Sequence, residues 1–428
     1  MTARQSAMTM KKRGSALGLV TAAALLAMTG CGSSAPKGYA PPAGAAAGLV
    51  RVDAPVLAAP AADTRSAADG SAELGLALLR QLGEKGNVAV SPASLEGVLA
   101  LLLPGARGAT ADEIRALLGT RLTGDRYAAA LGALRRAEVA QAAGDQNQLS
   151  FADDLWAQNG FRLRNPYLRT LAGAFGTGVH TVDFKNPDAA VAAINARVSQ
   201  ETRGMIPKLF DPSAVQSNTM LALTDALYLH ADWARAFDSK ETQQAPFHLG
   251  DGQTVSVPTM GGSWPASTGA TPDWQTAELP YRGGRLAMDL LLPKDPANQL
   301  PTAAQLSAAL ASVGQGHAAL RLPKFHFSYG QELTKPLEGL GLRTMFGPAA
   351  DLSGIQADGS GGLQVSTVVQ RIKVDVDEQG TTAAAASGVM VTLSAAYIPL
   401  SFDRPFVFLI RDTTTGHVLF LGRVTDPR

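Results

Sequence analysis

Residues able to do chemistry are thinly spread along this chain. Its six histidines, His180, His230, His248, His317, His326 and His417, are scattered, and its only cysteine is Cys31. No HExxH, paired CxxC, GxSxG, GxGxxG or Walker loop occurs, so the usual frames for a zinc hydrolase, a nucleophile elbow or a phosphate cradle are missing. A metal site has little to be built from, and no cofactor is expected. Ser34-Ala35-Pro36-Lys37 fits an SxxK spacing but lies in an Ala/Gly/Pro-rich stretch with no rigid frame to hold it, and is read as chance. Carboxylates are plentiful, yet nothing points to a particular pair, so a cell-surface hydrolase has no motif behind it.

The stretch that calls for explanation carries no reactive group at all. From Gln379 to Phe402, 24 consecutive residues are uncharged, beginning Gln379-Gly380-Thr381-Thr382-Ala383-Ala384-Ala385-Ala386-Ser387-Gly388. Ala383 to Gly388 offers too little side chain to fill a core, whereas Val389 to Leu393 has strand character. Small residues, no charge and no proline before Pro399 suit a loop that must at some time enter the middle of a sheet.

The elements that would carry such a loop can be read on either side of it. From Ala72 the pattern is helical, with Leu74, Leu76, Leu79 and Leu82 near one face and Gly83 and Gly86 as stops. A second apolar segment, Ser94 to Leu103, follows Ser91-Pro92, and Thr110 with Glu113 predicts a capping box for a helix through Leu117. Later the texture turns to strands: 221–229, 286–292, 318–327, 363–376, 402–411 and 417–424 are short apolar or alternating runs bounded by Gly, Pro, Asp and Thr. Helices first and many strands later predict an α+β domain with large, mostly antiparallel sheets.

With 37 basic and 36 acidic groups in 428 residues, no nucleic-acid partner is suggested. Arg4, Lys11, Lys12 and Arg13 precede an uncharged stretch from Gly14 to Gly30, which reads as a secretory signal over residues 1–30. Leu26-Ala27-Met28-Thr29-Gly30-Cys31 resembles a lipobox, with Met28 where Leu is usual, so Cys31 is expected to be lipidated as the mature amino terminus. The protein is then exported and lipid-anchored at the cell envelope, facing the periplasm or the exterior. Residues 31–68 are expected to form a flexible Ala/Gly/Pro tether, spanning about 30 to 35 Å as a coil, and 69–428 a single domain. With no second cysteine, that exported domain is held by its core alone.

The run Val374-Asp375-Val376-Asp377-Glu378-Gln379-Gly380-Thr381-Thr382 and the alanines after it resemble the hinge of the serpin family. Other segments match in the family's order over roughly 72–428: Asn87, Ser91-Pro92, Ser94 and Gly105-Ala106; Ile194-Asn195, Thr202 and Gly204; Tyr228, Trp233, Phe237 and Thr242; Glu278-Leu279-Pro280-Tyr281; Leu322-Pro323-Lys324-Phe325; Phe402-Asp403-Arg404-Pro405-Phe406; and Phe420-Leu421-Gly422-Arg423-Val424. The resemblance implies the serpin fold with an exposed reactive-centre loop. It implies a hinge of Glu378, Gly380, Thr381, Ala383, Ala384, Ala385 and Ala386, a breach cluster of Trp233, Lys324 and Glu378, and a shutter cluster of Ser91, Ser94, Asp225 and Gln370. At the last two positions the family usually has Asn and His. An amide can replace an imidazole as donor and acceptor, so a Gln370 to Asp225 hydrogen bond is expected.

The function implied is suicide inhibition rather than enzymatic activity. A serine protease cleaves the loop, forms an acyl-enzyme, and is trapped covalently as the loop inserts into the central sheet. In the family the scissile residue lies fourteen positions after the hinge Gly and eleven before the Pro of the Pro-Phe pair. Counting from Gly380 and from Pro405 gives Ser394 both times, which places the reactive bond at Ser394-Ala395. Ser394 with Leu393 and Thr392 before it suits elastase-like or subtilisin-like enzymes. A slip of one residue makes Leu393 the bait and favours chymotrypsin-like enzymes, and Met390 is a third choice. The partners expected are the target protease, and the membrane through the lipid anchor only, for a monomeric inhibitor. The alternative is a non-inhibitory serpin-fold binding protein, which bulky, charged or proline residues in the hinge would have supported.

Overall fold

The computed structural model describes residues 47–83, 85–142, 148–261, 265–297, 299–314, 316–358, 362–381 and 399–428. The first part of the chain runs β1 (Gly48–Val50), α1 (Ala61–Asp69), α2 (Ser71–Leu82), β2 (Val88–Val90), α3 (Pro92–Leu102), α4 (Gly108–Leu117), α5 (Gly124–Ala142), β3 (Gln148–Phe151), β4 (Asp154–Gln158), α6 (Asn165–Phe175), β5 (Val179–Val182) and α7 (Pro187–Glu201). There follow β6 (Leu221–Asp232), β7 (Gln243–His248), β8 (Thr254–Met260), β9 (Pro265–Ala270), β10 (Trp274–Pro280), β11 (Leu286–Pro293), α8 (Ala303–Ala311), β12 (Gly316–Pro323), β13 (Phe325–Glu332) and α9 (Thr334–Gly339). The chain closes with β14 (Val368–Val376), β15 (Gly380–Thr381), β16 (Pro399–Ser401), β17 (Phe406–Asp412) and β18 (Val418–Val424).

Among the described residues the strands form two large sheets. The first is ordered β1-β5-β4-β6-β15-β14-β13, with β3 also paired to β6, and the second β2-β18-β17-β11-β10-β9-β12-β8-β7, with β16 beside β12. Every residue of α3 is buried, so this helix is wrapped on all sides and its apolar run needs no polar face. Ser91 caps it, its hydroxyl accepting from the Ser94 amide at 3.1 Å, and Pro92 sits at the first helical position where no donor is missed. The helices read at 72–82 and 94–103 are therefore present as α2 and α3, and the α+β architecture is as expected.

Several local readings change. Thr110 and Glu113 form no capping box. Gly108, at φ +49°, starts α4 with Arg107 as a cap lacking a side-chain bond, so Thr110 falls inside the helix. There its buried hydroxyl accepts from the Asp351 amide, while Glu113 accepts from the amides of Arg343 and Thr344. The single strand expected over 318–327 is two, β12 and β13, in different sheets: Pro323 cannot donate to a ladder, and Lys324 turns aside to bond Pro258 O.

Part of the stretch read as tether carries regular structure. β1 adds to the edge of the first sheet through β5, the Leu57 amide bonds Gly173 O, and Arg126 grips the buried Asp63 of α1 with two bonds at 2.7 and 3.0 Å. An open sheet edge offers unpaired backbone groups even to a segment of small residues, so residues packed on the domain reach back at least to Gly48, ahead of the boundary read at 69.

Candidate functional site

The site is built where β6 and β14 part company. At their lower end Val368–Arg371 pairs in parallel with Leu223–Ala226. Above that, 227–230 of β6 and 372–375 of β14 are not paired with each other, and at the top β15 sits between them, Gly380 opposite Asp232 and Thr381 opposite Ala231 and Val376. A cavity of about 600 Å3 borders this gap, with Tyr228 and His230 on one side and His326, Asp375 and Val376 on the other.

The turn into β15 is held by short-range bonds. Asp377 accepts from the amides of Gln379 and Gly380 and donates its own amide to Gly380 O. Trp233 donates its indole N–H to Asp377 O at 2.9 Å and its amide to Gln379 O at 2.7 Å. Glu378 receives Lys324 Nζ and the Thr242 hydroxyl, each at 2.8 Å. Burial alone would raise the Glu378 carboxyl, but these two bonds outweigh it and hold it below its ordinary range. Gly380 has a steric reason to be glycine: a Cβ there would lie 2.1 Å from Ala231 O. Thr381, 3% exposed, turns its hydroxyl to within 2.5 Å of the Tyr281 hydroxyl.

Beneath the closed part of the ladder lies a second cluster. Gln370 is directly opposite Asp225 in register, and its Nε2 donates to Asp225 Oδ2 at 2.8 Å, across the two strands. The same amide brackets Ser91, accepting from its N–H at 2.9 Å and donating to its C=O at 3.0 Å. Ser91 donates to Leu419 O, and Ser94 to Asp153 Oδ1 at 2.6 Å. Burial pushes the Asp225 carboxyl well above the usual carboxylate range, and Asp153 beside it pushes it further. Asp153 itself is raised to about 6 by burial, held back by Arg135 at 2.6 Å.

Comparison with known proteins decides the family. Residues 69–427 match the family model described as Serpin (serine protease inhibitor). Serpin-ZXA of Oryza sativa subsp. japonica is 34% identical over 361 residues, covering 80% of this chain and 90% of its own. Plasminogen activator inhibitor 1 of Sus scrofa is 32% identical over 372 residues, covering 83% and 91%. The chain is a serpin. Among solved structures, native protease nexin-1 with heparin superposes with a TM-score of 0.73 at 26% identity, covering 85% of this chain and 100% of its own. The thermophilic serpin tengpin in the native state reaches 0.79 at 22% identity, covering 89% and 99%, a likeness that speaks for the fold alone. Serpins inhibit proteases rather than act as enzymes, and these relatives support serine protease inhibition in general terms.

In this serpin the structure brings Trp233, Lys324 and Glu378 together at the top of the gap, and Ser91, Ser94, Asp225 and Gln370 below it. Glu378, Gly380 and Thr381 lead into and form β15. Ala383, Ala384, Ala385, Ala386, Met390, Thr392, Leu393, Ser394, Ala395 and Cys31 lie outside the described residues.

Sequence reasoning missed the charged groups under the sheet. His417, fully buried, stands between two buried carboxylates, Nδ1 at 2.6 Å from Glu138 and Nε2 at 2.8 Å from Glu96. Burial alone would lower its pKa, but Glu138 and Glu96 outweigh burial and raise it to about 10. Asp153 and Arg135 join the lower cluster without any motif. The one available signal was a glutamate, Glu96, in the middle of an otherwise apolar run.

Proposed function

We propose that this serpin is a suicide inhibitor of serine proteases, of elastase-, subtilisin- or chymotrypsin-like specificity, exported and held at the cell envelope through lipidated Cys31. The protease's serine attacks the carbonyl carbon of Ser394. The bond to Ala395 breaks, its amine leaves with a proton from the protease's histidine, and an ester joins enzyme to inhibitor. Loop insertion then carries the ester-linked protease away. Fourteen strand residues at about 3.3 Å each span about 46 Å, and a triad displaced by even ~1 Å loses orders of magnitude in rate.

The observation that carries this reading is the seating of Gly380 and Thr381 in the ladder directly above an unfilled stretch of it. A strand continuing from Thr381 has open positions to enter, then meets the four pairs that Gln370 and Asp225 tie across. The residues that follow Thr381 are uncharged, and small as far as Gly388, with no proline before Pro399, so every one before Pro399 can donate to a ladder. About a dozen new backbone bonds at ~1 kcal/mol each give on the order of 10 kcal/mol to drive the step.

The test is titration of an elastase, a subtilisin and a chymotrypsin with the purified soluble domain. Stoichiometric and irreversible loss of protease activity is expected with at least one of them. Reversible inhibition, or none with any of the three, contradicts the proposal and favours a binding role on the same fold.

A further inference from the structure

Thr381 is the first loop side chain to enter the sheet, and what it meets is a phenol. Tyr281 follows β10, is fully buried, and stacks on Trp233 with ring centroids 4.6 Å apart and planes 12° from parallel. Its backbone is held by bonds outside the loop: it bridges Trp233, its amide bonds Leu286 O, and the flanking Ala234 and Arg282 amides bond Pro280 O and Asp232 O. The hydroxyl is thus presented at a fixed point under the top of the gap. Among the described residues its hydrogen-bond partner is Thr381 Oγ1, at 2.5 Å.

We propose that Tyr281 is a positioning residue for loop insertion: its hydroxyl holds Thr381 in the ladder and sets the register in which the loop enters. The proposal rests on the loop-insertion reading above. Two devices fix the register together. The close approach of Ala231 O admits only a glycine at the position Gly380 holds, which excludes its neighbours from Val374 to Ser387. The phenol then rewards the arrangement that brings a hydroxyl one residue later. Since a slip of one residue turns every side chain of a strand to the other face, fixing the first inward residue decides which loop side chains face the core along the whole insertion. A bland reading, in which Tyr281 only fills space against Trp233, assigns no role to the hydroxyl.

The experiment compares Tyr281→Phe, which keeps the ring and its stacking, with Thr381→Val and with the double variant. Hydrogen exchange of the peptide carrying Gly380 and Thr381 reads the equilibrium between a seated and a withdrawn hinge, in the uncleaved protein and without any protease. Losing one partner of a buried neutral hydrogen bond shifts an equilibrium about five- to tenfold, so each single variant is expected to exchange five- to tenfold faster in that peptide, with β10 and β17 unchanged. In the double variant no buried hydroxyl is stranded, so its exchange should be no faster than that of either single variant. Exchange within twofold of wild type in Tyr281→Phe, or a double variant whose effect is the product of the two singles, overturns the proposal. So does acceleration spread over the whole protein, which marks loss of packing rather than of a latch. The same variants mixed with a protease that the wild type traps should show a higher ratio of cleaved to covalently bound inhibitor, by up to the same factor. A wild type that traps no protease contradicts the proposed function, while the exchange measurement still decides the role of the hydroxyl.

Discussion

Gln370→Met tests whether the amide across β6 and β14 holds the closed ladder. The substitution keeps the length and apolar volume of a side chain that is 3% exposed and removes its hydrogen-bonding atoms. Three buried groups then lose a partner: Ser91 N–H, Ser91 C=O and Asp225 Oδ2. At about 1 kcal/mol for each, the lower end for a stranded buried group, the loss is about 3 kcal/mol. A domain the size of residues 69–427 unfolds with an entropy of about 0.75 kcal/mol/K, so the thermal midpoint should fall by about 4 °C at a fixed scan rate. Gln370→His combined with Asp225→Asn places the family's usual pair at these positions and should recover at least half of that loss, because imidazole can accept from Ser91 N–H and the new amide offers a donor and an acceptor. A midpoint within 1 °C of wild type for Gln370→Met would show that the bond spanning the two strands contributes nothing to keeping them together.

Further outcomes follow from other parts of the site. Thr381→Arg forces an unpaired charge into a buried position at a cost of several kcal/mol. The variant should be cleaved as a substrate without forming a covalent complex, and equal trapping on a denaturing gel would refute loop insertion led by Thr381. His417→Gln removes the cation between Glu96 and Glu138 and should cost several kcal/mol at neutral pH. Because the folded pKa of His417 is raised from the ordinary 6.5 to about 10, its contribution is fully present below about pH 6.5 and is lost as pH rises through about 10. The wild-type melting midpoint should therefore fall between those values and the variant's should fall less, while parallel curves would rule out this linkage. Cys31→Ser should move the protein from the membrane fraction to the soluble one, and a variant that remains with the membrane excludes lipid anchoring at Cys31.

The parts of this molecule legible in its sequence are those whose physics is local. Periodic leucines marked α2, Ser91-Pro92 marked the start of α3, and a charge-free run of small residues marked a segment suited to entering a sheet. The bond from Gln370 to Asp225 could be anticipated once the resemblance set the two residues side by side. What was hidden depends on contacts between remote segments. Glu96 and His417 lie 321 residues apart, and although Glu96 stands out in its apolar run, nothing near it in sequence names its partner until α3, α5 and β18 pack together. Tyr281 stood out as part of a motif, yet its partner is 100 residues away. Thr110 and Glu113 failed as a capping box because their oxygens serve 343–351 instead. The pairing of Gly48–Val50 was hidden because composition cannot reveal that an open sheet edge lies within reach.

The most direct test of suicide inhibition is the intact mass, under denaturing conditions, of whatever forms between this serpin and a protease it inactivates. The account predicts a single adduct whose mass is that of the protease plus the inhibitor chain ending at Ser394, joined with loss of one water relative to the free acid, together with a free peptide beginning at Ala395. A free peptide beginning one residue earlier would move the bait to Leu393 and leave the mechanism intact. Cleaved inhibitor with no protease attached, or a released peptide whose cut lies outside Met390 to Ala396, would contradict it.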